Sequence, residues 1–144
     1  MSAETEIANL LHRYAEYMDS GDFESAARLF THARLQLAEG QYVDADTMLS
    51  LWRGMVIVYP DGTPRSKHVV TNPIIEVDET AGTATCRSYY TVFQQTDDFP
   101  LQVVVTGRYH DRFERVDGRW RFAYRDYSLM DQVGDLSHHL SQQL

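Results

Sequence analysis

The sequence predicts an α+β fold in which three N-terminal helices cover the concave face of a curved antiparallel sheet. Apolar residues recur at helical spacing in three blocks before residue 60, and from residue 66 onward the chain alternates in the β pattern. Helical and strand segments are thus segregated, which is typical of α+β proteins rather than of parallel βαβ sheets. Because a long twisted sheet curls, we expect a ligand cavity between the sheet and the helices.

The first helix is predicted from an apolar stripe along residues 3 to 19: Ile7, Leu10, Leu11, Tyr14, Tyr17 and Met18. Gly21 suits a left-handed cap after it, and Asp22 can cap a short second helix. Asp44 or Asp46 can cap a third helix.

Five strands are predicted, at residues 34–39, 66–77, 83–94, 101–116 and 119–130. Asp117-Gly118 is the strongest hairpin signal, because both residues tolerate positive φ. Pro73 cannot donate to a sheet ladder, so we expect the first long strand to bend there. The four long strands should form an antiparallel meander.

The composition restricts the classes of function. A chain of 144 residues is one globular domain, which we place at residues 1–135, with residues 136–144 as a polar C-terminal tail. A net charge of −8 repels phosphate backbones and anionic lipid headgroups, so we expect no nucleic-acid or membrane partner. The single cysteine, Cys86, excludes an internal disulfide. With no signal-peptide pattern at residues 1–11, we expect a cytoplasmic protein.

Two titratable residues are candidates for chemistry. Asp19 ends the first helix, where the helix dipole disfavours an anion, so it is either a helix-end acid or turn cap, or a functional carboxylate. His68 lies early in the first long strand, and histidine is the side chain most easily poised as a base near neutral pH. The alternative for His68 is a structural histidine with a backbone hydrogen bond. The other five histidines are less favourable, with His138 and His139 in the polar tail.

Two further candidates lie on the last strand and the first helix. Strict alternation puts Arg125 on the strand face opposite Trp120 and Phe122, where a guanidinium could bind an anion or a developing oxyanion. The alternative is an exposed strand arginine. Tyr14 lies inside the stripe of the first helix, where a core aromatic with a hydrogen-bonded hydroxyl fits as well as a functional role.

Two stretches carry a family resemblance: Tyr17-Met18-Asp19-Ser20-Gly21-Asp22-Phe23 and Asp117-Gly118-Arg119-Trp120-Arg121-Phe122. They resemble the end of the first helix and the last hairpin of the SnoaL-like branch of the nuclear transport factor 2-like superfamily. The resemblance covers nearly the whole chain and implies a cone-shaped α+β fold. Within that superfamily, the chain looks most similar to scytalone dehydratase, bile-acid dehydratase and hexachlorocyclohexane dehydrochlorinase.

These lyases share an Asp at the end of the first helix and a His early in the first long strand. The resemblance therefore implies an Asp19–His68 catalytic dyad. It also implies catalytic roles for Arg125, five residues after Trp120, and for Tyr14, five residues before Asp19. It requires no metal and no organic cofactor.

The rest of the pocket is expected to be apolar and aromatic: Met18, Leu51, Trp52, Met55, Tyr59, Tyr90 and Met130. Such a lining favours a small hydrophobic substrate, polycyclic and aromatic compounds included. Some related lyases carry a second His or an Asp in the next strand, where this chain has Tyr90, Thr91 and Val92. The sequence therefore assigns no acid to the leaving group.

The function predicted is that of a cofactor-free, dehydratase-like lyase or isomerase that abstracts a proton with the dyad. The alternative is a non-catalytic ligand-binding or assembly subunit resembling the small subunit of ring-hydroxylating dioxygenases. A ketosteroid-isomerase-like or epoxide-hydrolase-like site is a weaker interpretation, because Arg, Tyr and Thr hold the strand positions of its acids. Tyr89, Phe93 and Val104 put apolar side chains on both faces of the strands, so we expect a homo-oligomer, a trimer or a dimer.

Overall fold

The computed structural model describes residues 1–141. Its helices are α1 (Ala3–Asp19), α2 (Phe23–Arg28) and α3 (Ala45–Met55). Its strands are β1 (Arg34–Ala38), β2 (Gln41–Val43), β3 (Ser66–Asp78), β4 (Thr83–Thr96), β5 (Phe99–Val116), β6 (Arg119–Asp126) and β7 (Met130–Val133). The segregated order confirms the predicted α+β class.

Side chains fix where each helix begins. The side-chain oxygens of Ser2, Asp22 and Asp44 each accept a hydrogen bond from the backbone N–H three residues on. Each cap of this kind stabilises a helix by about 1 kcal/mol. Gly21 leads out of α1 with φ +79°, and a Cβ there would lie 2.1 Å from the carbonyl oxygen of Gly62. Only glycine fits this turn, which holds the end of α1 against the loop before β3.

The sheet has the strand order β2-β1-β6-β5-β4-β3, with β7 added on β5. The long strands β3 to β6 form the predicted antiparallel meander, and within residues 1–141 only the β1–β6 pair is parallel. The prediction of one final strand through residue 130 was wrong. Asp126 accepts hydrogen bonds from the backbone N–H and hydroxyl of Ser128, and this turn separates β6 from β7.

Two irregularities shape the sheet. In β3 the pairing register shifts between Thr71 and Ile74, and Asn72 has φ 54°, so the strand bends at Pro73 as predicted. In β6 the register shifts between the pairs Arg112–Tyr124 and Phe113–Phe122. That shift leaves one extra residue, Ala123, on β6.

The β6 bulge overturns the predicted faces of this strand. An extra residue reverses the alternation beyond it, so Arg125 lies on the same buried side as Trp120 and Phe122. Of the apolar residues predicted to lie on both faces of the strands, Val104 is fully buried and Tyr89 is exposed. Among residues 1–141, no helix has both the length and the apolar character needed to span a bilayer.

Candidate active site

Asp19 and His68 meet where the end of α1 contacts the start of β3. The Asp19 Oδ1 atom lies 2.7 Å from Nδ1 of the imidazole. Both carboxylate oxygens also accept from the backbone N–H of His68, at 2.9 and 3.1 Å. Only 12% of the Asp19 side chain and 9% of the His68 side chain are exposed. The structure thus brings these two predicted residues together in a nearly dry contact.

The carboxylate determines which ring nitrogen carries the proton. An ionised carboxylate only accepts hydrogen bonds, so Nδ1 of His68 is the donor in this contact. In the neutral ring, Nε2 then holds the lone pair. Chemically, this arrangement can orient a base, because the carboxylate fixes the ring and can stabilise an imidazolium formed by proton uptake at Nε2.

A cavity of about 390 Å³ opens beside His68 between the helices and the sheet. Six of the seven predicted pocket residues line it: Met18, Leu51, Trp52, Met55, Tyr90 and Met130. Tyr14 lines it as well. Tyr59 does not, because its hydroxyl is directed to the backbone carbonyl of His138.

Sequence reasoning missed ten lining residues: Leu37, Met48, Val56, Val92, Val105, Tyr109, Tyr127, Leu136, His139 and Leu140. The helical spacing of α3 and the alternation of β4 could have indicated Met48 and Val92. Residues 136–140 carried no such signal, since the stretch reads as a polar tail.

The C-terminal segment folds back along the cavity instead of extending away. The backbone N–H groups of Ile57 and Ser141 donate to His139 and Met55, at 2.9 and 2.8 Å. The Gln94 side-chain amide donates to the backbone carbonyl of His138, the residue before His139, at 2.9 Å. This segment therefore places Leu136, His139 and Leu140 in the cavity wall. Residues 142–144 of the predicted tail lie outside the described residues.

His139 is a second imidazole at this cavity and is only 8% exposed. Burial, together with nearby His68, lowers the pKa of His139 to about 4, while Asp19 opposes the shift. The ring is therefore neutral at physiological pH. The earlier placement of His139 in a polar tail was wrong.

Acid should destabilise the protein through His139. The unfolded chain binds a proton there near pH 6.5 and the folded chain only near pH 4, so stability present above pH 6.5 is lost as the pH falls towards 4. We expect this to lower the free energy of unfolding by up to about 3 kcal/mol. Urea unfolding at several pH values should show less acid sensitivity in His139→Leu than in the native chain. Identical pH dependence in both would contradict this assignment.

Arg125 lies behind the cavity wall rather than on it. Its guanidinium is fully buried and binds Asp111 through two hydrogen bonds, from Nε at 2.7 Å and Nη2 at 3.0 Å. The rings of Tyr109 and Tyr14 lie over its Cζ atom, at 3.7 and 4.5 Å. Burial opposes its charge, but Asp111 and Tyr127 hold the pKa of Arg125 well above its usual value. Direct contact of Arg125 with a substrate stays a prediction, and this geometry favours action through the tyrosines.

The tyrosines in front of Arg125 form the polar part of the wall. Burial raises the pKa of Tyr14, an effect that Arg125 opposes, so the phenol stays protonated. The Tyr14 ring stands edge-on to the His68 ring, with centroids 6.0 Å apart. A phenol beside the base is a hydrogen-bond donor for a substrate oxygen.

A close approach of β5 to Tyr90 should make Gly107 irreplaceable. A Cβ at Gly107 would lie 2.5 Å from the Tyr90 hydroxyl and 2.6 Å from the carbonyl oxygen of Leu129. We expect Gly107→Ala to lower the free energy of unfolding by about 1–3 kcal/mol and to displace Tyr90. The control is Gly54→Ala, where a Cβ meets nothing within 4 Å. Equal stability of the two variants in urea would argue against this packing.

Among residues 1–141, no three His, Cys, Asp or Glu side chains are grouped so as to hold a metal ion. The curved sheet, the helices and the cavity between them define a protein of the nuclear transport factor 2-like fold. The model of the SnoaL-like domain family matches residues 1–126, and the chain belongs to that family.

Several solved structures share the fold. A protein of unknown function from Mycobacterium tuberculosis is 26% identical, with a TM-score of 0.69 over 90% of this chain and 72% of that one. A candidate scytalone dehydratase from Novosphingobium aromaticivorans is 21% identical, with a TM-score of 0.69 over 92% of this chain and 86% of that one. The beta subunit of a candidate aromatic-ring-hydroxylating dioxygenase from the same organism is 18% identical, with a TM-score of 0.70 over 95% of both chains. The last two likenesses establish the fold alone, and comparison with curated proteins finds no match.

Proposed function

We propose that this protein is a cofactor-free, dehydratase-like lyase or isomerase that abstracts a proton from a small hydrophobic substrate. One observation carries the proposal: Asp19 holds Nδ1 of His68 at 2.7 Å beside an apolar cavity. The pair is mostly buried, and a solvated helix-end acid would not need this arrangement.

The reaction begins when a substrate C–H bond breaks and its proton moves to Nε2 of His68. In a lyase, the electron pair forms a C=C bond while the leaving group departs from the neighbouring carbon with its own bonding pair. In an isomerase, the pair moves into an adjacent carbonyl, and the proton returns to a different carbon. General base catalysis of this kind contributes about 10²–10⁴-fold.

The cavity wall suits this chemistry. Methionine, leucine and tryptophan side chains exclude water, which strengthens the interaction of Asp19 with the imidazolium. Tyr14 can donate a hydrogen bond to a substrate oxygen on which negative charge develops. Arg125 does not contact the cavity, but its positive charge lies over the ring of Tyr14 and stabilises the electron density that moves onto the ring when the hydroxyl donates.

Deuterium incorporation tests the proposal without knowledge of the natural substrate. Apolar ketones and phenyl-substituted β-hydroxy ketones are incubated with the protein in D₂O. Mass spectrometry detects exchange at the α-carbon, and absorbance detects the conjugated enone. We expect both with the native chain and neither with His68→Ala. The control is His32→Ala, an exposed residue in the turn between α2 and β1. Exchange at the buffer rate for every compound that binds the cavity would reject the proposal.

A non-catalytic assembly subunit is the alternative function, and one surface favours it. The outer face of the sheet exposes an apolar set: Val69 at 40%, Tyr89 at 53%, Leu101 at 66% and Val103 at 42%. Single monomers seldom expose such a continuous patch. Under this alternative, compounds bind the cavity but exchange no deuterium.

The same outer face should mediate self-association, as a trimer or a dimer, under either function. We expect Tyr89→Glu to reduce the mass measured by light scattering at micromolar concentration, because a buried carboxylate opposes the contact. Tyr42→Glu is the matched control, since Tyr42 is 45% exposed on β2, at the far edge of the sheet. A native chain that is monomeric under these conditions would contradict this. A cytoplasmic location likewise stays a prediction.

A further inference from the structure

The Asp19–His68 mechanism leaves the second imidazole of the cavity without a role. His139 lines the cavity, and its side chain makes no hydrogen bond to any atom of residues 1–141. Its backbone, by contrast, is held firmly, because the carbonyl accepts from Ile57 and the N–H donates to Leu136. The segment thus positions an unpaired neutral ring at the site.

The two ring nitrogens of His139 differ in their surroundings. Nδ1 is fully buried and has no partner among the described residues, so a ligand in the cavity cannot reach it. An orphaned buried N–H is less tolerable than an unused lone pair, and this favours the tautomer with the proton on Nε2. Nε2 is therefore the nitrogen available to a ligand, and it is a donor.

We infer that His139 donates a hydrogen bond from Nε2–H to an oxygen of the substrate, so that the site selects apolar molecules carrying a carbonyl or similar acceptor. This inference rests on the proposed function and specifies its substrate class. With Nδ1 of His68 bound to Asp19, its Nε2 is directed as an acceptor, whereas Nε2 of His139 presents a proton. A molecule with an acidic C–H next to a carbonyl can give its proton to Nε2 of His68 while its carbonyl oxygen accepts from Nε2–H of His139.

The same pairing adds a second hydrogen-bond donor, besides Tyr14, for the substrate oxygen on which negative charge develops. When the C–H bond breaks and its proton moves to His68, the electron pair shifts towards the carbonyl, whose oxygen becomes negative. A neutral N–H aimed at that oxygen stabilises the charge as it forms. Because the donor is neutral, it does not repel the imidazolium that develops on His68.

Binding of two matched probes tests the inference. Acetylnaphthalene carries a carbonyl, and ethylnaphthalene has nearly the same shape without one. We expect the native chain to prefer the ketone, as measured by calorimetry. The preference should fall by about 5–10-fold in His139→Ala, since one neutral hydrogen bond is lost. Ethylnaphthalene should bind equally to both chains.

His139→Gln and His138→Ala complete the series. The glutamine variant keeps an amide donor and should retain part of the preference. His138 precedes His139, but its ring stacks on Phe99 at 4.2 Å outside the cavity, so its loss should leave the preference intact. A ketone preference that survives in His139→Ala, or equal loss of both probes, would overturn the inference.

Nitrogen NMR of the native chain gives a second, independent readout. Long-range ¹H–¹⁵N correlation should show His139 as the neutral Nε2–H tautomer at pH 7. A proton on Nδ1, or a charged ring, would also overturn the inference. Failure of the proposed function looks different: the ketone preference and the tautomer are observed, but no ketone exchanges deuterium.

Discussion

Replacing His68 with alanine is expected to lower kcat/KM for proton abstraction by about 10²–10⁴-fold, because the base is removed. Asp19→Asn should have an effect of similar size. In the native chain Oδ1 of Asp19 accepts from Nδ1 of His68, and both Oδ1 and Oδ2 accept from the backbone N–H of His68. In the asparagine variant, one orientation of the amide places its NH₂ group against the backbone N–H of His68, so two donors face each other. In the opposite orientation the NH₂ group donates to Nδ1 and imposes the wrong tautomer on the ring.

The double variant distinguishes a dyad from two separate contributions. If Asp19 acts through His68, the combined loss of rate should be no greater than the loss in His68→Ala alone. Deuterium exchange of a ketone provides the rate, and thermal unfolding of each variant provides the control for folding. If both single variants retain full exchange rates, Asp19 is only a structural link between α1 and β3.

Breaking the Arg125–Asp111 pair is expected to have the largest effect on stability. Both side chains are 0% exposed, so removing one partner leaves a charge uncompensated in the interior. Arg125→Met and Asp111→Asn should each lower the free energy of unfolding by about 3–5 kcal/mol, or the melting temperature by roughly 10 °C. Arg125→Lys should also lower the free energy of unfolding, because an ammonium cannot reproduce the two-point contact with Asp111.

The matching control removes both charges together. Arg125→Met combined with Asp111→Leu should recover most of the stability, since no buried charge is then unpaired. If Arg125 supports catalysis through Tyr14 and Tyr109, this stable double variant should still exchange deuterium more slowly than the native chain. Full stability of the single variants would show that the pair is more hydrated than its burial indicates.

Much of the fold could be read from the sequence because periodic patterns report local structure. The stripe ending at Met18 predicts α1, and the positive φ values tolerated by Asp117-Gly118 predict the last hairpin. The short edge strands β2 and β7 escape such analysis, because three or four residues carry too little alternation. The bulge at Ala123 could not be predicted either, because nothing in the local sequence marks it. It is this extra residue that places Arg125 on the buried face of β6.

In the candidate site, too, some residues could be identified from the sequence and others could not. Asp19 and His68 were candidates because of their positions at the end of α1 and the start of β3, and the family resemblance paired them. His139 could not be identified in this way, since its burial depends on contacts with residues far away along the chain, such as Ile57 just after α3. Polar sequence alone predicts exposure, and only the folded chain shows that a short polar stretch closes an apolar cavity.

The placement of Trp52 provides an optical reporter at the cavity. The chain has two tryptophans, and Trp52 lines the cavity while Trp120 lies beneath the guanidinium of Arg115. A Trp120→Phe variant would therefore emit from a single indole on the cavity wall. Any compound that enters contacts that indole and changes its emission, so unlabelled candidate substrates can be ranked by fluorescence titration before their chemistry is known.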